Sequence, residues 1–152
     1  MKKFFYFLIF IPFLFSGCNY TPIYSNKDNF NFIIENIEFK GDAEISNLID
    51  KKLKRHKKTK SGKKISISTF SSYTKTSQSK NLSGKTTDYL VEIKTSFKIE
   101  IDNKTKMLIL EEEFLIKNFS DKFEEYNFEK IKKENSIDLI INKLITQISQ
   151  MQ

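Results

Sequence analysis

Cys18 is the single thiol in this 152-residue sequence, and its neighbours give it a chemistry. It closes the run Leu14-Phe15-Ser16-Gly17-Cys18, which has the pattern of a bacterial lipobox. At such a site a signal peptide is cut just before a cysteine that then carries lipid. Lys2 and Lys3 supply a positive start, and Phe4 to Phe15 is an apolar run of 12 residues broken by Pro12. That is the h-region of a signal peptide, and it is shorter than the roughly 20 residues a membrane-spanning helix needs. Ser16 and Gly17 leave the backbone open to a peptidase. The alternative is an ordinary secretory peptide followed by an incidental cysteine. A lone cysteine cannot close an internal disulfide, so an exported chain must use it otherwise. Acylation is one such use, and stable anchoring takes more than one acyl chain. The expected organisation is a signal peptide over 1–17, a lipid-anchored tether over 18–29 starting at Cys18, and one domain over 30–152.

The other reactive side chains point away from catalysis. His56 is the only histidine and lies in a basic run, with no cysteine or carboxylate at ligand spacing. A surface role is expected, and no metal. Glu111, Glu112 and Glu113 are consecutive, and neighbours on a strand alternate faces, which separates them as a catalytic pair. Glu124 and Glu125 read as solvated. No Gly-x-Ser-x-Gly elbow and no phosphate-cradling glycine loop is present, so the expectation is a non-enzyme without cofactors. A lipid-anchored hydrolase is the reading this argues against.

Removing residues 1–17 leaves 135 residues, with 24 basic against 19 acidic and a formal charge of +5. All basic residues in that count except Arg55 are lysines. A positive exported domain favours anionic partners such as phosphorylated lipids, and export argues against nucleic acid. Lys51 to Lys64 holds nine lysines and arginines in 14 residues. It could meet lipid phosphates, or simply be a solvated helix end.

These side chains need elements to position them. Phe30 to Phe39 is β-branched and aromatic and reads as a strand. Gly41 and Asp42 end it, and Asp42 suits a helix N-cap. Ile45, Leu48, Ile49 and Leu53 recur at i, i+3, i+4 and i+8, one face of an amphipathic helix of about 15 residues. Its basic C-terminal end, Lys54 to Lys58, complements the helix dipole. Lys64 to Tyr73 alternates as a half-buried strand, and Thr74 to Asp88 reads as a mobile loop. Tyr89 to Ile101 is the longest alternating run and the clearest strand. Asp102 to Thr105 is turn chemistry. Met107 to Phe119 returns as a strand, with Leu108, Leu110, Phe114 and Ile116 on one face and Glu111 and Glu113 on the other. Ser120 to Glu125 reads as a polar connection. From about Tyr126 the period becomes 3.6, with Ile137, Ile141, Leu144, Ile148 and Met151 on the stripe of a terminal helix of about 25 residues. The expected fold is α+β: a two-layer sandwich of a four-stranded, mostly antiparallel sheet covered by two helices, in the order β-α-β-β-β-α.

Two regions resemble one family. Cys18-Asn-Tyr-Thr-Pro-Ile-Tyr24 resembles the Cys-Gly-Phe-x-Pro-Leu-Tyr start of the LPS-assembly lipoprotein LptE, with Asn19 where the family usually has glycine. Thr86-Thr87-Asp88-Tyr89, Lys117-Asn118-Phe119-Ser120 and Glu129 to Ile148 look like the body of its alphaproteobacterial members. The resemblance implies a lipoprotein acylated at Cys18, palmitate among its acyl chains, on the periplasmic side of the outer membrane. It also implies a plug inside an LptD-like outer-membrane β-barrel, with a role in the barrel's assembly and in lipopolysaccharide transport to the outer leaflet. A transporter-associated periplasmic lipoprotein of another family is the alternative. Asn19 is not the aspartate linked to inner-membrane retention, which favours the outer membrane. Family members bind lipopolysaccharide through basic residues. In this strand order, the loop between strands two and three lies at the same sheet end as the connection from strand four to the helix. Lys80 and Lys85 sit on the first, Lys117 and Lys122 on or beside the second. Lys85 and Lys122, with Lys80 and Lys117 beside them, are therefore the candidates to hold lipopolysaccharide phosphate as point charges. Ordinary solvated lysines are the alternative.

Overall fold

The computed structural model describes residues 32–54 and 62–151. The lipobox with Cys18, the tether and His56 lie outside the described residues. The order is β1 (Phe32–Gly41), α1 (Ala43–Leu53), β2 (Lys63–Lys80), β3 (Thr86–Ile101), β4 (Lys104–Lys117) and α2 (Lys122–Ser149). The strands form one sheet in the order β1-β2-β3-β4. β1 runs parallel to β2, and the other two pairs are antiparallel. The expected α+β sandwich is the observed one.

β1 enters beside Lys63 and leaves beside Ser71. Glu35 is the extra residue of a bulge between Ile34 and Asn36. Without it the period of two would turn Ile37 and Phe39 outward; with it both pack against the core. Gly41 then turns the chain at φ +91°, and a Cβ there would lie 2.0 Å from the Ser71 carbonyl oxygen. Only glycine fits that approach. The next residue, Asp42, donates its N–H to the same carbonyl at 2.8 Å. Its side chain accepts from Ile45 N at 2.9 Å, the N-cap expected. α1 buries Ile45, Ile49 and Leu53 completely. Its described part is 11 residues, and the basic run 55–61 lies outside the described residues.

One face of the sheet and both helices enclose a single core. β2 supplies Ile65 and Ile67; β3 supplies Val91, Ile93, Phe97 and Ile99; β4 supplies Ile116; α2 supplies Ile137, Ile140, Ile141, Leu144 and Ile148. Together with Phe32 and Ile34 of β1 and the face of α1, this makes one contiguous cluster within residues 32–148. All of the core that the described residues form therefore lies in the chain from Asn19 onward. Glu112 points inward on β4, as its place between Leu110 and Phe114 requires, and is met by Lys143 of α2 at 2.5 Å.

Three connections between elements differ from expectation. Thr74 to Asp88 is not a mobile loop: β2 runs on to Lys80 and β3 starts at Thr86, paired from Thr74↔Glu92 to Lys80↔Thr86. Threonine and serine suit a solvated strand, and β3's long apolar alternation gives them a template. The turn after β3 is only Asp102 and Asn103, with φ +48° and +64°. That is the two-residue primed turn, whose backbone twist matches the strands it joins. Finally, α2 begins at Lys122 rather than near Tyr126, because the Asp121 side chain accepts from Phe123 N at 2.8 Å and caps it there.

Candidate functional site

The extended β2–β3 hairpin makes the molecule long and gives it two unlike ends. At the end called here the tip, a five-residue loop, Asn81 to Lys85, joins the strands. Asn81 organises it. Its Oδ1 accepts from Ser83 N, Ser83 Oγ and Lys85 N at 2.7 to 3.0 Å. Its backbone N–H donates to Lys85 O, its carbonyl accepts from Gly84 N, and Gly84 has φ +77°. Leu82 stands fully exposed at the apex.

The connection after β4 is stitched to the same end. Asn118 N donates to Thr87 O, and Asn118 Nδ2 donates to Thr86 O, both at 2.7 Å. Lys117 lies opposite Asp88 on β3. The topology thus brings Lys80, Lys85, Lys117 and Lys122 to one end of the sheet, as the strand order implies. Their states differ. Lys122 Nζ donates to Glu125 Oε2 at 2.8 Å and to Asn118 Oδ1 at 2.7 Å. No ion pair joins Lys80, Lys85 or Lys117 to any described residue.

Behind the tip lies a charged cluster that sequence reasoning missed. Glu125 is buried, against the expectation that it is solvated; Glu124 beside it is exposed. Glu125 accepts from Lys75 at 3.2 Å, from Lys122, and from Phe119 N at 3.1 Å. One helical turn on, Glu129 accepts from Tyr73 Oη at 2.5 Å and Lys75 at 2.8 Å. Glu129 is also 3.2 Å from Lys133, which bonds Glu44 of α1 at 2.8 Å. Lys75 sits over the Tyr89 ring and Lys133 over the Tyr73 ring, each at 4.6 Å. The network ties the first turns of α2 to β2 and to the start of α1. The sequence signal is the spacing 125, 129, 133, one face of a helix, opposite Tyr73 and Lys75 on one face of a strand.

The electrostatics follow from these contacts. Lys122 chiefly holds the Glu125 carboxyl below its usual range, and Lys75 adds to this despite burial. Burial works against ionised Glu129, but Lys75, Tyr73 and Lys133 outweigh it and lower its pKa. Burial also works against charged Lys75 and Lys133, and their glutamate partners overcome it and raise both. Tyr73 is pushed far up by burial first and by Glu129 second, so its hydroxyl stays a donor. With Glu125, Glu129 and Glu44 matched by Lys75, Lys122 and Lys133, the group is a charged brace between α2, β2 and α1.

On the opposite sheet face, Glu92, Glu111 and Glu113 bring carboxylate oxygens within 4.8 Å of one another. Glu111 is spent on Lys94 at 3.1 Å, and the group is largely open to water. Glu111 and Glu113 face away from Glu112, as the strand period requires. The described helices include none long and apolar enough to cross a membrane.

No family model and no curated protein matches the chain by sequence. Solved structures do. The chain is similar to rare lipoprotein B from Shewanella oneidensis, at 13% identity over 76% of this chain and 96% of that one, with a TM-score of 0.57. It also aligns with a candidate lipoprotein from Caulobacter crescentus, at 8% identity over 76% and 92% of the two chains, with a TM-score of 0.49. The first likeness shows a shared fold that accounts for nearly the whole of rare lipoprotein B.

Proposed function

We propose that this chain is an LptE-type lipoprotein: acylated at Cys18, held at the periplasmic side of the outer membrane, and partnered with an LptD-like β-barrel. In this reading it assists the barrel's assembly and takes part in lipopolysaccharide transport. The observation that carries the reading is the pairing of a lipobox with a fold shared by a protein named as a lipoprotein. The β-α-β-β-β-α order and the motifs at Cys18 to Tyr24 and Thr86 to Tyr89 support it.

Lipopolysaccharide phosphate would bind at the tip. Lys85, Lys80 and Lys117 have no ion-pair partner among the described residues, and exposed Leu82 offers an apolar contact beside them. Lys122 is held by Glu125 and Asn118, so it contributes as the edge of the site. Affinity at such a site falls with salt.

Co-purification tests the partner. A stable one-to-one complex with a large β-barrel supports the proposal; recovery only with an inner-membrane transporter rejects it. Alkynyl-palmitate labelling that persists in Cys18→Ala would rule out the anchor. Lipopolysaccharide affinity unchanged in Lys85→Ala/Lys122→Ala and in Lys80→Ala/Lys117→Ala would remove the tip from the reading.

A further inference from the structure

The end opposite the tip carries a second basic feature. Here β1 enters at Phe32 beside Lys63, the primed turn closes β3 onto β4, and α2 stops. A cleft of about 400 Å³ opens between them, lined by Lys63, Lys104, Lys106, Asp102 and Thr105 over Ile99, Ile101 and Met151. Its chemistry is divided. Ile99, Ile101 and Met151 make an apolar floor. Lys104 and Lys106 lie on the helix-facing side of β4, across from Ile101 and Ile99. Lys63 is paired with Asp102 at 3.1 Å. No ion pair joins Lys104 or Lys106 to a described residue, so two positive charges remain unmatched at the rim. The C-terminal turn of α2 has no basic residue of its own, so its negative dipole end is uncompensated from within the helix.

Chain length keeps this end within reach of an anchor at Cys18. Phe32 is 14 residues from Cys18, a reach of at most about 50 Å. The tip stands a further 55 Å or so away along β2, whose 18 residues advance about 3.3 Å each. If Cys18 carries lipid, the cleft end is the one at which the tether joins the domain.

We infer that this cleft docks on an anionic phospholipid of the anchoring bilayer, with Lys104 and Lys106 on the headgroup phosphate and the Ile99–Ile101–Met151 floor against the first acyl carbons. The choice of bilayer rests on the anchored reading above; the binding chemistry does not. The site is distinct from the tip in position and in ligand.

The test uses the unacylated chain from Asn19 to Gln152, so it does not depend on lipid at Cys18. Its partition is measured on phosphatidylcholine vesicles with and without phosphatidylglycerol. Binding is expected only with phosphatidylglycerol and is expected to be lost in high salt. Each lysine near an anionic surface is worth about five-fold, so Lys104→Gln/Lys106→Gln should bind roughly 25-fold more weakly. Met151→Gln should weaken binding with an unchanged salt dependence. Lys80→Gln/Lys85→Gln/Lys117→Gln should bind vesicles as the parent does. Equal binding to neutral vesicles, or parent-like partition of the Lys104/Lys106 variant, overturns the inference. So does a loss confined to the tip variant, which would assign the lipid to the tip. Failure of acylation at Cys18 with this vesicle result intact would overturn only the anchored reading.

Discussion

Replacing Glu129 with alanine probes the brace behind the tip. Glu129 accepts from Tyr73, Lys75 and Lys133. Its side chain keeps 16% of its exposure, so water screens it little. Hydrogen bonds to a charged group contribute about 1.5–3 kcal/mol each. They will not be lost in full, because Lys75 retains Glu125 and Lys133 retains Glu44. Tyr73 alone is left with an unmatched, half-buried hydroxyl, at a cost of about 1–3 kcal/mol. The sum after relaxation is about 2–3 kcal/mol. For a domain of this size that lowers Tm by about 8–12 °C. Urea unfolding should show a lower midpoint at an unchanged slope. Tyr73→Phe removes the orphaned hydroxyl, so the double variant Glu129→Ala/Tyr73→Phe should be at least about 1 kcal/mol more stable than additivity predicts. A Glu129→Ala loss under about 0.5 kcal/mol, or strict additivity with Tyr73→Phe, would refute the brace as a stabilising unit.

Three further outcomes follow from the same contacts. The lowered pKa values of Glu125 and Glu129 mean their contribution is present above the ordinary 4.5 and lost as pH falls below it. The raised values of Lys75 and Lys133 mean theirs is present below 10.5 and lost as pH rises above it. Chemical denaturation across pH should therefore show a plateau between, with the acid decline reduced in Glu129→Gln. Gly41→Ala should abolish soluble expression or cost well over 1 kcal/mol, since a Cβ meets the Ser71 carbonyl and φ is positive; parent-like melting would contradict the turn geometry. Ser46→Ala should raise stability by about 1 kcal/mol, because the buried Ser46 hydroxyl has no hydrogen-bond partner among the described residues; a lower Tm would show a partner.

Where the sequence was legible, one period dominated. The alternation from Tyr89 to Ile101 and the 3.6 stripe from Ile137 to Ile148 each bury one face, so pattern and packing agree. Asp42 was readable because capping is local. The run from Thr74 to Lys80 was not, because its strand state comes from pairing with β3 rather than from its own apolar side chains. The candidate lysines at the tip were placed together by strand order alone. Which were free and which were engaged depended on Glu125, whose burial arises from Lys75 on a strand 50 residues earlier. No local pattern contains that contact.

The hairpin arm also sets a rule for how its length can change. Beyond Ser71, β2 has no partner on its outer side among the described residues, and the arm lies past the reach of β1. A deletion of two residues from each strand would shorten it by one pleat and leave every side chain on its present face. A deletion of one from each would invert the whole segment beyond the cut. The lysines beside Leu82 would then swap sides, and a cut close to Ser71 would also turn Tyr73, Val91 and Ile93 out of the core. Length and facing are thus coupled in steps of two, so even changes near the apex keep the tip lysines on their present sides and odd ones reverse them.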